Sequence, residues 1–286
     1  MSESQSSTTA AAVKDPKRPH ISVSALAMHQ RCPKQYEYRY IEKRLVPPGV
    51  AQIRGKGFHA GIAHNFRQKL DTREDLPLDE VQGAAAETVD SEFAGGVFLL
   101  PDEKTVGVKQ LRNATKDTAV AMVGKHHADI APAVQPTMVE RKITLSPDPA
   151  KFPVDIVGIL DLADEQDYVR DNKTASKSPN QDAAEKSQQL TTYALLYRMA
   201  TGRPERGVAL DHVVCTSTGK LSTVIQESTR DGEDIAQLKG RMELTLASIK
   251  TGIFPPANPE MWWCSEKWCG YWDGICPFGK KSGGSR

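Results

Sequence analysis

Residues 154–161 run through Val154, Ile156, Val157, Ile159 and Leu160 before ending on Asp161. A strand this apolar on both alternating faces belongs in the middle of a sheet that is covered on each side. The carboxylate at its end therefore needs a reason. Before Pro136 the pattern is mostly helical. Ser22 or Ser24 can cap a helix carrying Leu26, Met28, Tyr36, Tyr38 and Tyr40, broken at Pro33 where the backbone loses a donor. Further helical patterns cover about 57–70, 78–93 and 108–128. Beyond Pro136 the alternation becomes strand-like over 137–145, 154–163 and 168–174, and again over 207–216 and 221–227. Helices are predicted from Asn180 to Met199, closed by Gly202 and Pro204, and from about 234 to 250. The expected fold is α/β: a mixed central β-sheet flanked by helices, with N-terminal helical elements building one wall of a cleft.

Length and composition fit one elaborated domain. The chain has 286 residues, 39% hydrophobic and 26% charged, and no apolar run nears the roughly 18 residues that span a bilayer. Residues 1–18 read as a disordered leader without a signal or transit pattern, which leaves 19–286 as the folded domain and points to the cytoplasm. With 37 basic against 36 acidic residues, any nucleic-acid binding must come from a local groove rather than the whole-molecule field.

The acids near the strand end form a constellation. A tight turn near Gln166 would return the chain so that Asp161 and Asp171 oppose one another, with side chains about 5 Å apart, near enough to share a divalent ion. Lys173, two residues on, points to the same face. Phosphodiester hydrolysis uses this inventory: carboxylates to hold Mg²⁺ or Mn²⁺, and an ammonium to orient water and offset charge. On spacing alone, a solvated acidic turn beside a surface Asp171–Lys173 pair fits equally well. Glu140 opens the preceding strand and reads either as a supporting carboxylate or as part of a charged surface with Arg141 and Lys142.

The order of landmarks decides between these. Gly55-Lys56-Gly57-Phe58-His59 precedes Gly158-Ile159-Leu160-Asp161, then Asp171-Asn172-Lys173-Thr174, then Gln189 and Tyr193 on a helix. This arrangement resembles the RecB-like branch of the PD-(D/E)XK nuclease superfamily, with a restriction-endonuclease-like core. Ser22 to Leu26, Cys32-Pro33 and Tyr36 also look like the opening of such domains. The resemblance implies that His59, Asp161 and Asp171 ligate metal, with the backbone carbonyl of Asn172 as a further ligand, and that Lys173 is the catalytic lysine. Gln189 and Tyr193, one helical turn apart, would contact substrate or steady Lys173. His64, His126 and His127 compete with His59, which is favoured only by its place after Gly55.

Of five cysteines, Cys264, Cys269 and Cys276 crowd the C-terminal segment 254–286, Cys32 lies near the N-terminus, and Cys215 falls alone on a strand. Four thiolates suffice for a 4Fe-4S cluster or a Cys₄ zinc site. One N-terminal and three C-terminal cysteines resemble the split of the AddB-type and CRISPR-associated Cas-four iron-sulfur nucleases, although the spacing of Cys264 and Cys269 is wider than usual there. The resemblance implies a structural cluster on Cys32, Cys264, Cys269 and Cys276 that pins the chain ends together.

The expected activity is metal-dependent cleavage of DNA, exonucleolytic on single-stranded or end-containing substrates. No Gly-x-x-x-x-Gly-Lys-Ser/Thr element occurs, so no helicase motor is expected. A phage or mobile element would suit the small size, placing the enzyme in a host cytoplasm beside recombination or CRISPR-adaptation proteins, with no membrane partner. The alternatives are a non-cleaving DNA-binding module and a zinc-stabilised interaction module of the same fold.

Overall fold

The computed structural model describes residues 19–146, 154–273 and 275–282, so the leader expected over 1–18 lies outside the described residues. Its architecture is the mixed α/β sheet that the sequence pattern implies. Strands β1 (His20–Ser22), β2 (Pro136–Leu145), β3 (Asp155–Asp164), β4 (Tyr168–Ala175), β5 (Gly207–Cys215) and β6 (Leu221–Ser228) form a six-stranded sheet. Their order is β1-β3-β4-β5-β6, with β2 paired to β3. β2 runs antiparallel along nearly the whole of β3. Both β1, parallel at residues 155–157, and β4, antiparallel at Leu162 and Ala163, must therefore share the opposite edge of β3. Between those two short pairings the strands fork, and Asp161 stands at the fork.

Helices cover both faces. On one, α3 (Val50–Thr72), α4 (Leu78–Ala94) and α5 (Val108–Asp129) bury Phe58, Ile62, Phe66 and Met122 against Leu162 and Val213. On the other, α6 (Gln188–Thr201) sets Leu190, Tyr193, Leu196 and Tyr197 against Leu160, Ala163, Val169 and Leu210. At the β1 end, α1 (Val23–Arg31) and α7 (Gly232–Thr251) pack Leu26, Leu238 and Met242 around Ile156. Ser22 caps α1 by accepting from the Ala25 amide. The break at Pro33 is present: α1 stops at Arg31 and a short α2 (Pro33–Tyr36) follows, continuing into a π-helical turn. No helix among the described residues is long and apolar enough to cross a membrane.

Two helix starts and one strand differ from what the sequence pattern predicts. Helix α3 begins at Val50, well before 57, running through Gly55 and Gly57, which look unfavourable locally although Gly57 is needed sterically. A Cβ at Gly57 would lie 2.6 Å from Val89 Cγ2, so glycine lets α3 and α4 approach. Helix α6 starts at Gln188 rather than Asn180, since Ser187 supplies the cap to the Leu190 amide, while the carbonyls of Asn180 and Gln181 accept from Gln226. Strand β1 was not expected; three residues are too short for a periodicity to register.

Candidate active site

The site grows from a break in strand alternation. In a regular strand, residues two apart share a face. On β3, Gly158 and Leu160 face α6, yet Leu162 faces the α3 layer and Ala163 faces α6. On β2, Ile143 and Met138 face α6 while Val139 faces the α3 layer. Both slips fall at register partners, Glu140 and Asp161, flanked by the pairs Arg141↔Leu160 and Val139↔Leu162. Glu140 takes φ +46°, a left-handed conformation that costs a non-glycine residue about 1–2 kcal/mol. The paired slips bring both carboxylates together beside His59 instead of leaving them in the packed layers.

His59 reaches the fork from α3. Its Nδ1 lies 3.4 Å from Asp161 Oδ2 and 3.9 Å from Glu140 Oε1. Ligand atoms of His59, Glu140 and Asp161 all fall within 4.8 Å of one another, a spacing that suits one cation. Burial, and then the Lys173 charge, lower the His59 pKa, which keeps its ring neutral and able to donate a lone pair. The ring also hydrogen-bonds the Asn172 backbone. The competing histidines are placed elsewhere. His64 is exposed, His127 bonds the Leu76 carbonyl at 2.8 Å, and buried His126 bonds the Asn172 side chain at 3.0 Å, its pKa lowered to about 4 chiefly by burial.

The second acid comes from β4. Continuing the register of Leu162↔Arg170 sets Asp171 opposite Asp161, and the Asn172 amide donates to Asp161 Oδ2 at 3.3 Å. Asp171 is fully buried. Burial first, and then its contact with Asp171, push the Asp161 pKa well above the carboxylate range, the signature of two acids held together without enough positive charge. Lys173 Nζ lies 3.0 Å from Asp171 Oδ1 and 2.7 Å from Oδ2, and donates to Gln189 Oε1 at 3.0 Å. Gln189 in turn donates to the Tyr193 hydroxyl at 2.8 Å. The chain Tyr193–Gln189–Lys173–Asp171 thus fixes one ammonium beside two acids. Arg170 braces β4 from the opposite face, bonding Asp164 at 2.7 Å and Asp211 at 3.2 Å.

A model of the PD-(D/E)XK nuclease superfamily matches residues 20–277 of this sequence. The chain belongs to the PD-(D/E)XK nuclease superfamily. Among solved structures, a "putative exonuclease" from Eubacterium rectale is similar to this PD-(D/E)XK chain with TM-score 0.55 and 10% identity, covering 86% of each chain. SSO0001 gives TM-score 0.46 and 14% identity over 92% of this chain and 88% of its own. At such identity the first likeness speaks for the fold. No curated protein matches the sequence closely enough to add to this.

Two residues escaped the sequence reading or were underweighted by it. Glu140 completes the three-ligand group, but broken alternation hid its direction. His212 pairs in register with Lys173, and its Nδ1 is buried with no hydrogen-bond partner among the described residues. Its signal was an Asp-His pair inside an otherwise apolar strand.

The four clustered cysteines also converge. Cys32, Cys264, Cys269 and Cys276 line one small pocket. The Gln35 side-chain amide donates to Cys269 Sγ at 3.1 Å, and the Ala257 amide to Cys32 Sγ at 3.3 Å. Cys215 ends β5, away from this pocket and partly buried against the α3 layer. Tetrahedral zinc with 2.3 Å bonds needs sulfurs roughly 3.8 Å apart. Among the described residues no three of these thiols lie within 4.8 Å of one another.

Glu140→Gly relieves the left-handed backbone, so its denaturant midpoint in chelator should equal or exceed wild type, with stability within about 1 kcal/mol or better. The same variant should bind divalent cations more weakly. A loss above about 2 kcal/mol would show that the conformation does not serve ligand placement.

Proposed function

We propose that this chain is a divalent-metal-dependent deoxyribonuclease that trims DNA from single-stranded or open ends. The observation that carries the reading is the meeting of His59, Glu140 and Asp161 within 4.8 Å, beside a buried Asp171 paired to Lys173. One nitrogen and several hard oxygens suit Mg²⁺ or Mn²⁺. His59, Glu140, Asp161 and Asp171 would hold the ion, with the Asn172 backbone a further oxygen donor. A cation bound there polarises the phosphate and lowers the pKa of water. Lys173 orients the attacking water and offsets phosphate charge, while Gln189 and Tyr193 hold its ammonium in place. The name of the Eubacterium rectale neighbour supports exonucleolytic trimming over internal cutting.

The cysteine pocket supports a 4Fe-4S cluster on Cys32, Cys264, Cys269 and Cys276, in keeping with an AddB-like or Cas-four-like relationship. Amide donors to Cys32 and Cys269 stabilise thiolates. The cluster's role is structural: it joins the C-terminal segment to the start of α2 at Cys32, and just beyond α2 Tyr38 bonds the Ile275 carbonyl at 3.1 Å and Tyr271 the Arg44 carbonyl at 2.8 Å. Free thiols suit a reducing cytoplasm.

The test is end-labelled single- and double-stranded DNA incubated with Mg²⁺ or Mn²⁺. Progressive shortening from an end that stops on chelation is expected. Undiminished cleavage in excess chelator, or none under any divalent metal, contradicts the reading.

A further inference from the structure

Two grooves meet at Gln30 and Arg31. The larger, about 1720 Å³, runs along α1 and α6 and reaches Gln189 and Tyr193 beside the carboxylates. The smaller, about 850 Å³, is walled by Gln30, Arg31, Trp262, Trp263 and Trp268. None of the described residues lining either groove is acidic, whereas Arg31 and Lys142 are basic. In a chain with 36 acidic and 37 basic residues, a continuous path without carboxylates is where a polyanion can run. The path is also firmly walled: Gln188 on α6 donates to Gln30 on α1 at 2.7 Å and accepts from Arg241 on α7 at 3.2 Å.

The outer end is aromatic. Trp262 and Trp268 are 66% and 53% exposed and meet edge to face at 5.2 Å. Large exposed apolar groups in contact mark a binding surface. The Lys267 ammonium lies 5.5 Å from the Trp268 ring, adding a cation beside the indoles. Trp263 lines both this groove and the cysteine pocket, so the clasp between the chain ends fixes where the indoles stand.

Resting on the nuclease reading above, we propose that Trp262 and Trp268 are a base-stacking platform for a single DNA strand, whose backbone then follows Arg31 and Lys142 to the carboxylate cluster. Every base presents a π face, so stacking is tolerant of sequence. Paired bases hide those faces inside the duplex, so the platform favours unpaired ends.

The experiment uses anaerobically purified full-length protein in chelator and oligo(dT) of 4 to 20 nucleotides. Tryptophan fluorescence should be quenched, and affinity should rise with length beyond the tetranucleotide. Trp262→Ala with Trp268→Ala should weaken 20-mer binding about a hundredfold, roughly tenfold per lost stack, and flatten the length dependence. Trp262→Phe with Trp268→Phe should recover most of it. Unchanged fluorescence, wild-type affinity in the double alanine variant, or no gain with length in the wild type would overturn the platform. If the alanine variant loses its iron, the phenylalanine pair and the wild-type length series still decide. Binding with quenching but no cleavage under any metal would instead defeat the nuclease reading and leave the platform standing.

Discussion

Lys173→Ala should leave a folded protein whose DNA cleavage falls by about a hundredfold to a thousandfold. Removing a preorganised charge-stabilising group from a site typically costs 10²–10³ in rate, and Lys173 is the ammonium held at 3.0 Å from both Asp171 and Gln189. Asp161→Ala should do at least as much, because it removes the acid shared between His59 and the Asp171 side of the fork. Loss of several kcal/mol of metal-derived stabilisation amounts to about three decades at 1.36 kcal/mol each. Circular dichroism separates these losses from unfolding. Gln189→Ala, acting through Lys173, should lower activity less. Near wild-type cleavage by well-folded Lys173→Ala would remove the catalytic assignment.

The second large effect concerns the clasp. Cys32→Ser should lose nearly all iron and the broad absorbance near 400 nm that thiolate-to-iron charge transfer gives, whereas Cys215→Ser should keep both. The C-terminal segment has little core of its own. Cys269, Tyr271 and Tyr38 make a small cluster with Val46, Trp272 and Ile275, separate from the main layers. Bound metal or cluster then contributes directly to folding, and its loss should lower Tm by about 10 °C or more. Colourless wild-type protein with one zinc per chain, or full iron in Cys32→Ser, would contradict the cluster assignment.

The fold class and the geometry around Asp161 were largely legible in the sequence. The apolar run ending at Asp161, the turn near Gln166 and the two-residue step from Asp171 to Lys173 fix which side chains meet, because a hairpin register leaves little freedom. Gln189 and Tyr193 share a helix face for the same kind of reason. What was hidden depended on tertiary geometry. Glu140 required a left-handed residue inside a strand, which no alternation pattern encodes. The early start of α3 required the close contact of Gly57 with Val89. His59 was separated from His126 only once Asn172 was seen to occupy the latter. The route past Arg31 to Trp262 and Trp268 joins residues from opposite ends of the chain, and only the fold brings them together.

One catalytic cation is expected where β1 and β4 part from one another along β3, beside Glu140 of β2. Calorimetric titration of Mn²⁺ into the anaerobically purified protein measures this directly. The account predicts one ion per chain, lost or greatly weakened in Asp161→Asn and in Glu140→Gln, and unaffected by Cys215→Ser. Binding of equal affinity and stoichiometry in Asp161→Asn would place the metal elsewhere and contradict it.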